Sequence, residues 1–194
     1  NNNYPAINYS ISCTTMPFDK FSTPTGARNM AEAYTCMFEG GGPSYLGNTR
    51  NGWVTSSRLL FAEFVKIISE GTSFNLGVVE ATSKQNNGSG TYERYLKFSH
   101  NLIGCPETEI WTATPSKFTG ATVSESGSNV AISTGGVSNS TICVMSALDN
   151  GDSFFDVRTD VSSATFSNVP KPYLVTITKH NYIPYLKNPD NIYI

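Results

Sequence analysis

Hydrophobic and polar positions follow two different rhythms, and the change falls near Thr114-Pro115. Before that point helical and β-prone runs alternate; beyond it only short β-prone runs recur. Met30, Ala33, Tyr34, Met37 and Phe38 stand at i, i+3, i+4, i+7 and i+8, one face of an amphipathic helix. Gly40-Gly41-Gly42-Pro43 stops it, as a flexible position followed by proline does. A second helix shows Leu60, Phe61, Phe64, Ile67 and Ile68 on one face, with Ser56 or Ser57 as its cap and Gly71 at its end. Leu76 to Gln85 forms a third, short helix. Tyr92, Tyr95, Leu96, Leu102 and Ile103 predict a fourth, ended by Gly104 and Pro106. Ile7–Ser12 and Ser44–Gly47 read as strands, and Glu109-Ile110-Trp111 as another extended piece. The glycine cluster at 40–42 is no phosphate loop, because it follows a helix and offers no helix N-terminus.

In the second regime the β-prone runs are Asn129–Ser133, Thr141–Ser146, Phe154–Thr159, Ala164–Phe166, Tyr173–Lys179 and Tyr182–Leu186. Gly135-Gly136, Asn150-Gly151 and Asn168 separate them as turns. Evenly spaced short strands argue for a β-sandwich of the immunoglobulin-like sort. The expected fold class is therefore α/β followed by an all-β sandwich, with domains at 1–114 and 115–194. The first domain has strands for only part of a parallel sheet, and such sheets need covered faces and paired edges. Polypeptide upstream is expected to complete it.

Composition narrows the function classes. The 194 residues are 14% charged with a net charge of −2, which lacks the basic footprint of a nucleic-acid binder. No apolar run is long enough to span a bilayer. The opening Asn1-Asn2-Asn3 is not a signal peptide; it reads as the middle of a longer protein or a new end left by cleavage. Cys13, Cys36, Cys105 and Cys143 show no metal-ligand spacing, and only His100 and His180 accompany them, so neither a metal nor a cofactor is expected. Cys36, in a helical pattern, and Cys143, in a strand pattern, read as packing residues. A disulfide stays open on count alone.

Chemistry concentrates at Cys13. The run Ile7–Ser12 delivers it to the point where Thr14, Thr15 and Pro17 end the strand pattern, and proline has no place inside a central ladder. Ligands of open α/β sheets bind beyond the carboxyl ends of strands, so a thiol there is either a nucleophile or a small buried hydrophobe. Trp53 ends an Asn/Gly-rich loop, where it either lines a pocket or folds back onto the core. His100 is expected near a helix C-terminus, where its charge is favourable, and His180 in a strand connection.

Ile11-Ser-Cys13-Thr-Thr-Met-Pro-Phe18-Asp19, then a helix, then Gly41-Gly-Pro-Ser-Tyr45-Leu-Gly47-Asn-Thr-Arg-Asn-Gly-Trp53, resembles the gingipain-type cysteine peptidases. Asn101-Leu-Ile-Gly-Cys-Pro106 is similar to the turn that closes their catalytic domain, and Val175 to Tyr185 to the last strands of their immunoglobulin-like domain. The resemblance implies a partial caspase-like sheet and a thiol endopeptidase, secreted or on the bacterial surface. In it Cys13 is the nucleophile, and Trp53, with Asn51 on the same loop, is substrate-binding. It also implies two partners: a peptide or protein substrate, and the upstream part of the same protein, in the same or a separate chain. Cys105 stands where the family usually has Asp. The family's histidine, in a His-Gly context, lies upstream of the cysteine, and nothing here matches it. The alternative is a catalytically inactive pseudo-peptidase or a cell-surface binding module.

Overall fold

The computed structural model describes residues 6–19, 28–36, 41–147 and 153–187. The chain divides into two compact units, Asn1–Ile110 and Trp111–Ile194.

In the first unit β1 (Asn8–Tyr9) is followed by α1 (Met30–Cys36), β2 (Ser44–Asn48), α2 (Val54–Ser69), α3 (Leu76–Asn86), α4 (Thr91–Ser99) and β3 (His100–Gly104). The sheet order is β1-β2-β3. β1 runs parallel to β2 with Tyr9 opposite Leu46, and β3 runs antiparallel to β2 from Ser44↔Gly104 to Asn48↔His100. The expected parallel sheet is thus mixed. β2 is buried at every position, as the middle strand must be. Leu46 packs with Phe64, Ile67, Leu76 and Val79 on one face; Tyr45 packs with Met16 and Ala31 on the other.

Residues 100–104 are a strand, not the end of the fourth helix. Leu102 lies against the first of these clusters and Ile103 against the second, so two adjacent apolar residues serve opposite faces, as strand geometry requires. α4 ends because the Ser99 carbonyl accepts from the Thr49 N–H at 2.7 Å and the Thr49 hydroxyl at 3.0 Å. Gly104, at φ +133°, closes β3 where a Cβ would lie 2.5 Å from the Pro43 carbonyl oxygen, so only glycine fits.

Several smaller expectations also change. α2 starts after Trp53 without a side-chain cap: the Ser56 hydroxyl donates instead to Glu93 at 2.8 Å, and Ser57 is buried in the first turn. Asn75 does cap α3, accepting from the Val78 N–H. Ala31, rather than Met30, is the buried residue of α1; Met37 and Phe38 lie outside the described residues. Cys36 is exposed at the end of α1 and is no packing residue there. No described helix is long and apolar enough to cross a membrane.

The second unit holds β4 (Thr122–Ser126), β5 (Asn129–Ser133), β6 (Ser140–Ala147), β7 (Ser153–Val161), β8 (Ser163–Phe166), β9 (Leu174–Thr178) and β10 (Tyr185–Lys187). They form two antiparallel sheets, β10-β9-β6-β7 and β4-β5-β8. Val130, Ile132 and Phe166 of one sheet share a core with Ile142, Val144, Val175 and Ile177 of the other. β4 escapes the hydrophobic pattern because Thr-Val-Ser-Glu-Ser carries a single apolar residue. β10 begins only at Tyr185, after Pro184, while Tyr182 makes an isolated bridge to Ser116.

Candidate active site

Two chain crossings at the carboxyl ends of β1 and β2 build the neighbourhood of Cys13. After β1 the Ser10 N–H still donates to the Leu46 carbonyl at 2.8 Å, and then the chain turns away. Thr14 adopts φ 49°, a left-handed conformation that non-glycine residues take only when their surroundings hold them. The hold is visible: Thr14 N–H donates to the Arg50 carbonyl at 2.8 Å and Met16 N–H to the Asn48 carbonyl at 3.1 Å. The buried Asn48 side chain donates to the Ser12 carbonyl at 3.0 Å. Arg50 grips Asp19 with both guanidinium nitrogens, one of them at 2.9 Å. The turn after β1 is therefore lashed to the loop after β2 on both sides of the cysteine.

Cys13 is exposed on this turn. Its sulfur sits against one peptide group on each side of Gly52, donating to the Gly52 carbonyl at 3.2 Å and accepting from the Gly52 N–H at 3.3 Å. Among the described residues both hydrogen bonds of the thiol go to Gly52; neither goes to an imidazole. Asn51 is exposed on the same loop. Trp53, the N-cap of α2, is half-buried, with Tyr92 at 4.6 Å and Tyr95 edge-on at 4.8 Å between ring centroids. Its indole thus leans on α4 and leaves part of its surface open.

The histidines are occupied elsewhere. His100 is fully buried: its Nδ1 bonds Glu80 at 3.0 Å, and its ring stacks on Tyr9 at 4.7 Å. Lys84 reaches the same carboxylate at 3.1 Å. Burial pushes the Glu80 carboxyl up, but the hydrogen bonds and charges of His100 and Lys84 outweigh it and hold the group below the usual carboxylate range. Burial, with the Glu80 charge adding to it, raises the Tyr9 hydroxyl well above its ordinary value. His180 belongs to the second unit, where its Nε2 meets the Thr112 hydroxyl at 2.9 Å. Among the described residues no three His, Cys, Asp or Glu side chains gather as metal ligands.

Sequence reasoning located Cys13, Asn51 and Trp53 on two separate loops, and the structure brings the Cys13 loop onto the residue between Asn51 and Trp53. It missed Asn48, Gly52, the Arg50–Asp19 grip and the Glu80–His100 pair. Nothing local marked Asn48, which reads as the start of a polar loop and is buried only by the fold.

The cysteines differ enough to be ranked. Cys143 is partly buried in β6, and burial pushes its thiol up. In an iodoacetamide time course on the complete protein, read by mass spectrometry, Cys13 is expected to label first and Cys143 last. Equal labelling of all four, or Cys143 first, contradicts this.

A model of peptidase family C25 matches residues 1–111. Among solved structures, the Arg-specific cysteine proteinase gingipain R (RgpB) superposes with a TM-score of 0.73 at 14% identity, covering 95% of this chain and 45% of its own. The complex of Porphyromonas gingivalis RgpB pro- and mature domains gives 0.73 at 15% identity, with 95% and 46% covered. A structure described only as a protease gives 0.60 at 17% identity, with 93% and 46% covered. At these identities the likeness is one of fold. The chain spans less than half the length of these solved chains. No curated protein sequence matches it.

Proposed function

The chain belongs to peptidase family C25, the gingipain-type cysteine peptidases, and on that premise we propose that it is the nucleophile-bearing part of a secreted or surface-held endopeptidase. The observation that carries the reading is an exposed thiol on a turn beyond the carboxyl ends of parallel β1 and β2, fixed against the Gly52 peptide groups. In this reading β1 to β3 are part of a caspase-like sheet, the domains fall at 1–114 and 115–194, and the second is immunoglobulin-like.

The chemistry needs a thiolate, which is the attacking form of a cysteine, and a base to generate it. Cys13 Sγ attacks the scissile carbonyl, and the oxyanion that forms is held by N–H donors, one of them the backbone N–H of Cys13. Collapse expels the amine, which takes the proton from the imidazolium. Water then attacks the thioester, giving its proton to the imidazole, and releases the acid and the thiolate. The base is a histidine from polypeptide outside this chain. Two facts support that: the bonds of Cys13 go only to Gly52 among the described residues, and the chain spans under half of the structures it matches. Among the described residues β1 is also an edge of its sheet. The first fact equally favours the second reading, an inactive pseudo-peptidase that binds peptide. Finding His-Gly after a strand upstream decides for the enzyme.

Trp53, with Asn51, is proposed to contact the substrate. Trp53→Ala removes two ring contacts, each worth about 0.5–1.5 kcal/mol, so stability is expected to fall by roughly 1–3 kcal/mol. Losing an aromatic wall from the substrate site is expected to lower kcat/KM by about ten- to a hundredfold. A stability loss with substrate-like inhibitor binding intact removes Trp53 from the site.

A further inference from the structure

We infer that Asn48 is a positioning residue for Cys13, orienting both the peptide that precedes the thiol and the peptide groups that hold it. The inference rests on reading Cys13 as the nucleophile. Asn48 is the last residue of β2 and fully buried. Its Nδ2 donates to the Ser12 carbonyl at 3.0 Å. That carbonyl and the Cys13 N–H belong to one trans peptide unit, so they point in opposite directions within a plane. Anchoring the oxygen inward on Asn48 therefore aims the Cys13 N–H away from the core, on the exposed side where an oxyanion would form.

The same amide backs the other half of the thiol's surroundings. A Cβ on Gly52 would stand 2.6 Å from Asn48 Nδ2 and 3.4 Å from its Cγ. Gly52 thus lies directly on the amide with no room for a side chain, and its N–H and C=O meet the sulfur at 3.3 and 3.2 Å. One side chain touches both loops that position the thiol.

Asn48 Oδ1, meanwhile, is buried without a hydrogen-bond partner among the described residues. An unpartnered buried oxygen is destabilising, and replacing a polar group by an apolar one of similar shape is often neutral or favourable. Leucine, with nearly the shape of asparagine, avoids that penalty, and the Ser12 carbonyl that loses its donor belongs to a residue on the exposed turn. What the amide supplies is orientation rather than stability.

The test compares Asn48→Leu with the wild type in the complete protein, alongside Val79→Ala, a core truncation among apolar neighbours. Asn48→Leu is expected to keep or raise the melting temperature, to lower kcat by about ten- to a hundredfold, as misdirecting an oxyanion donor does, and to leave KM within about twofold. Alkylation of Cys13 at fixed pH is expected to slow as well. Val79→Ala is expected to lower the melting temperature and leave kcat and the alkylation rate of the folded fraction unchanged. Should Asn48→Leu fail to fold, Gly52→Ala, whose Cβ displaces the amide from the loop side, carries the same expected fall in kcat. Wild-type kcat and alkylation in the variant that folds, or an equal loss in Val79→Ala, overturns the inference. Absence of hydrolysis in the wild type would instead defeat the endopeptidase reading, and the alkylation comparison would still decide the role of Asn48.

Discussion

Cys13→Ala is expected to abolish peptide hydrolysis by the complete protein, lowering kcat by at least about a thousandfold, while the melting temperature stays where it was. The decoupling follows from position. Cys13 is exposed on its turn, and its sulfur bonds only the peptide groups of Gly52. Losing such contacts costs no more than the roughly 0.5 kcal/mol typical of surface substitutions. The turn itself is held by the Thr14, Met16 and Asn48 bonds, none of which involves the thiol. Hydrolysis that survives the substitution would remove Cys13 from the mechanism, and a large fall in melting temperature would show the thiol to be structural.

His100→Ala is expected to have the largest effect on stability among the substitutions considered. It removes from the start of β3 the partner of Glu80 on α3, leaving a carboxylate that is only 5% exposed. Breaking a buried pair from one side costs about 3–5 kcal/mol. Lys84, at 3.1 Å, retains part of the pairing, so the lower end of that range is expected. The ring also leaves the face of Tyr9. Removing both partners, in Glu80→Leu with His100→Leu, is expected to recover much of the loss, because the uncompensated carboxylate is gone. Equal destabilisation in the single and double variants would contradict this. Acid acts on the same group. The Glu80 carboxyl is lower in the folded chain than its ordinary 4.5, so its contribution is fully present above that value and is lost as the pH falls through the lower, folded value. Glu80→Gln is expected to flatten the acid limb of a melting-temperature profile; an unchanged limb would contradict the pairing.

How much of this was legible depended on whether a residue's neighbours lie along the chain or across it. β2, α2 and α3 follow from local periodicity, and the turn at Cys13 follows from Thr14, Thr15 and Pro17, because strand ends are written in short stretches. β3 was misread because Leu102 and Ile103, continuing the spacing of Tyr92, Tyr95 and Leu96, fit a helical face, while their separation to opposite sides of a sheet depends on β2, more than fifty residues earlier. The carbonyl that ends α4 is taken by Thr49, equally far away in sequence. Cys36 looked like a packing residue from its helical setting, but α1 buries Ala31 instead. His100 was expected near a helix C-terminus, where its charge is favourable; it opens β3 instead, its partner Glu80 sits on α3, and nothing local marks the pair. Asn48 looked like the first residue of a polar loop, and only the fold shows it buried under that loop.

Hydrolysis of a peptide substrate by purified residues 1–194, alone and mixed with the polypeptide proposed to precede them, tests most directly whether Cys13 draws its base from outside this chain. No hydrolysis is expected from residues 1–194 alone, because neither His100 nor His180 bonds the thiol and each is engaged by its own neighbours. Activity is expected on mixing and is lost again with Cys13→Ala. Hydrolysis by residues 1–194 alone that disappears with Cys13→Ala would contradict the account.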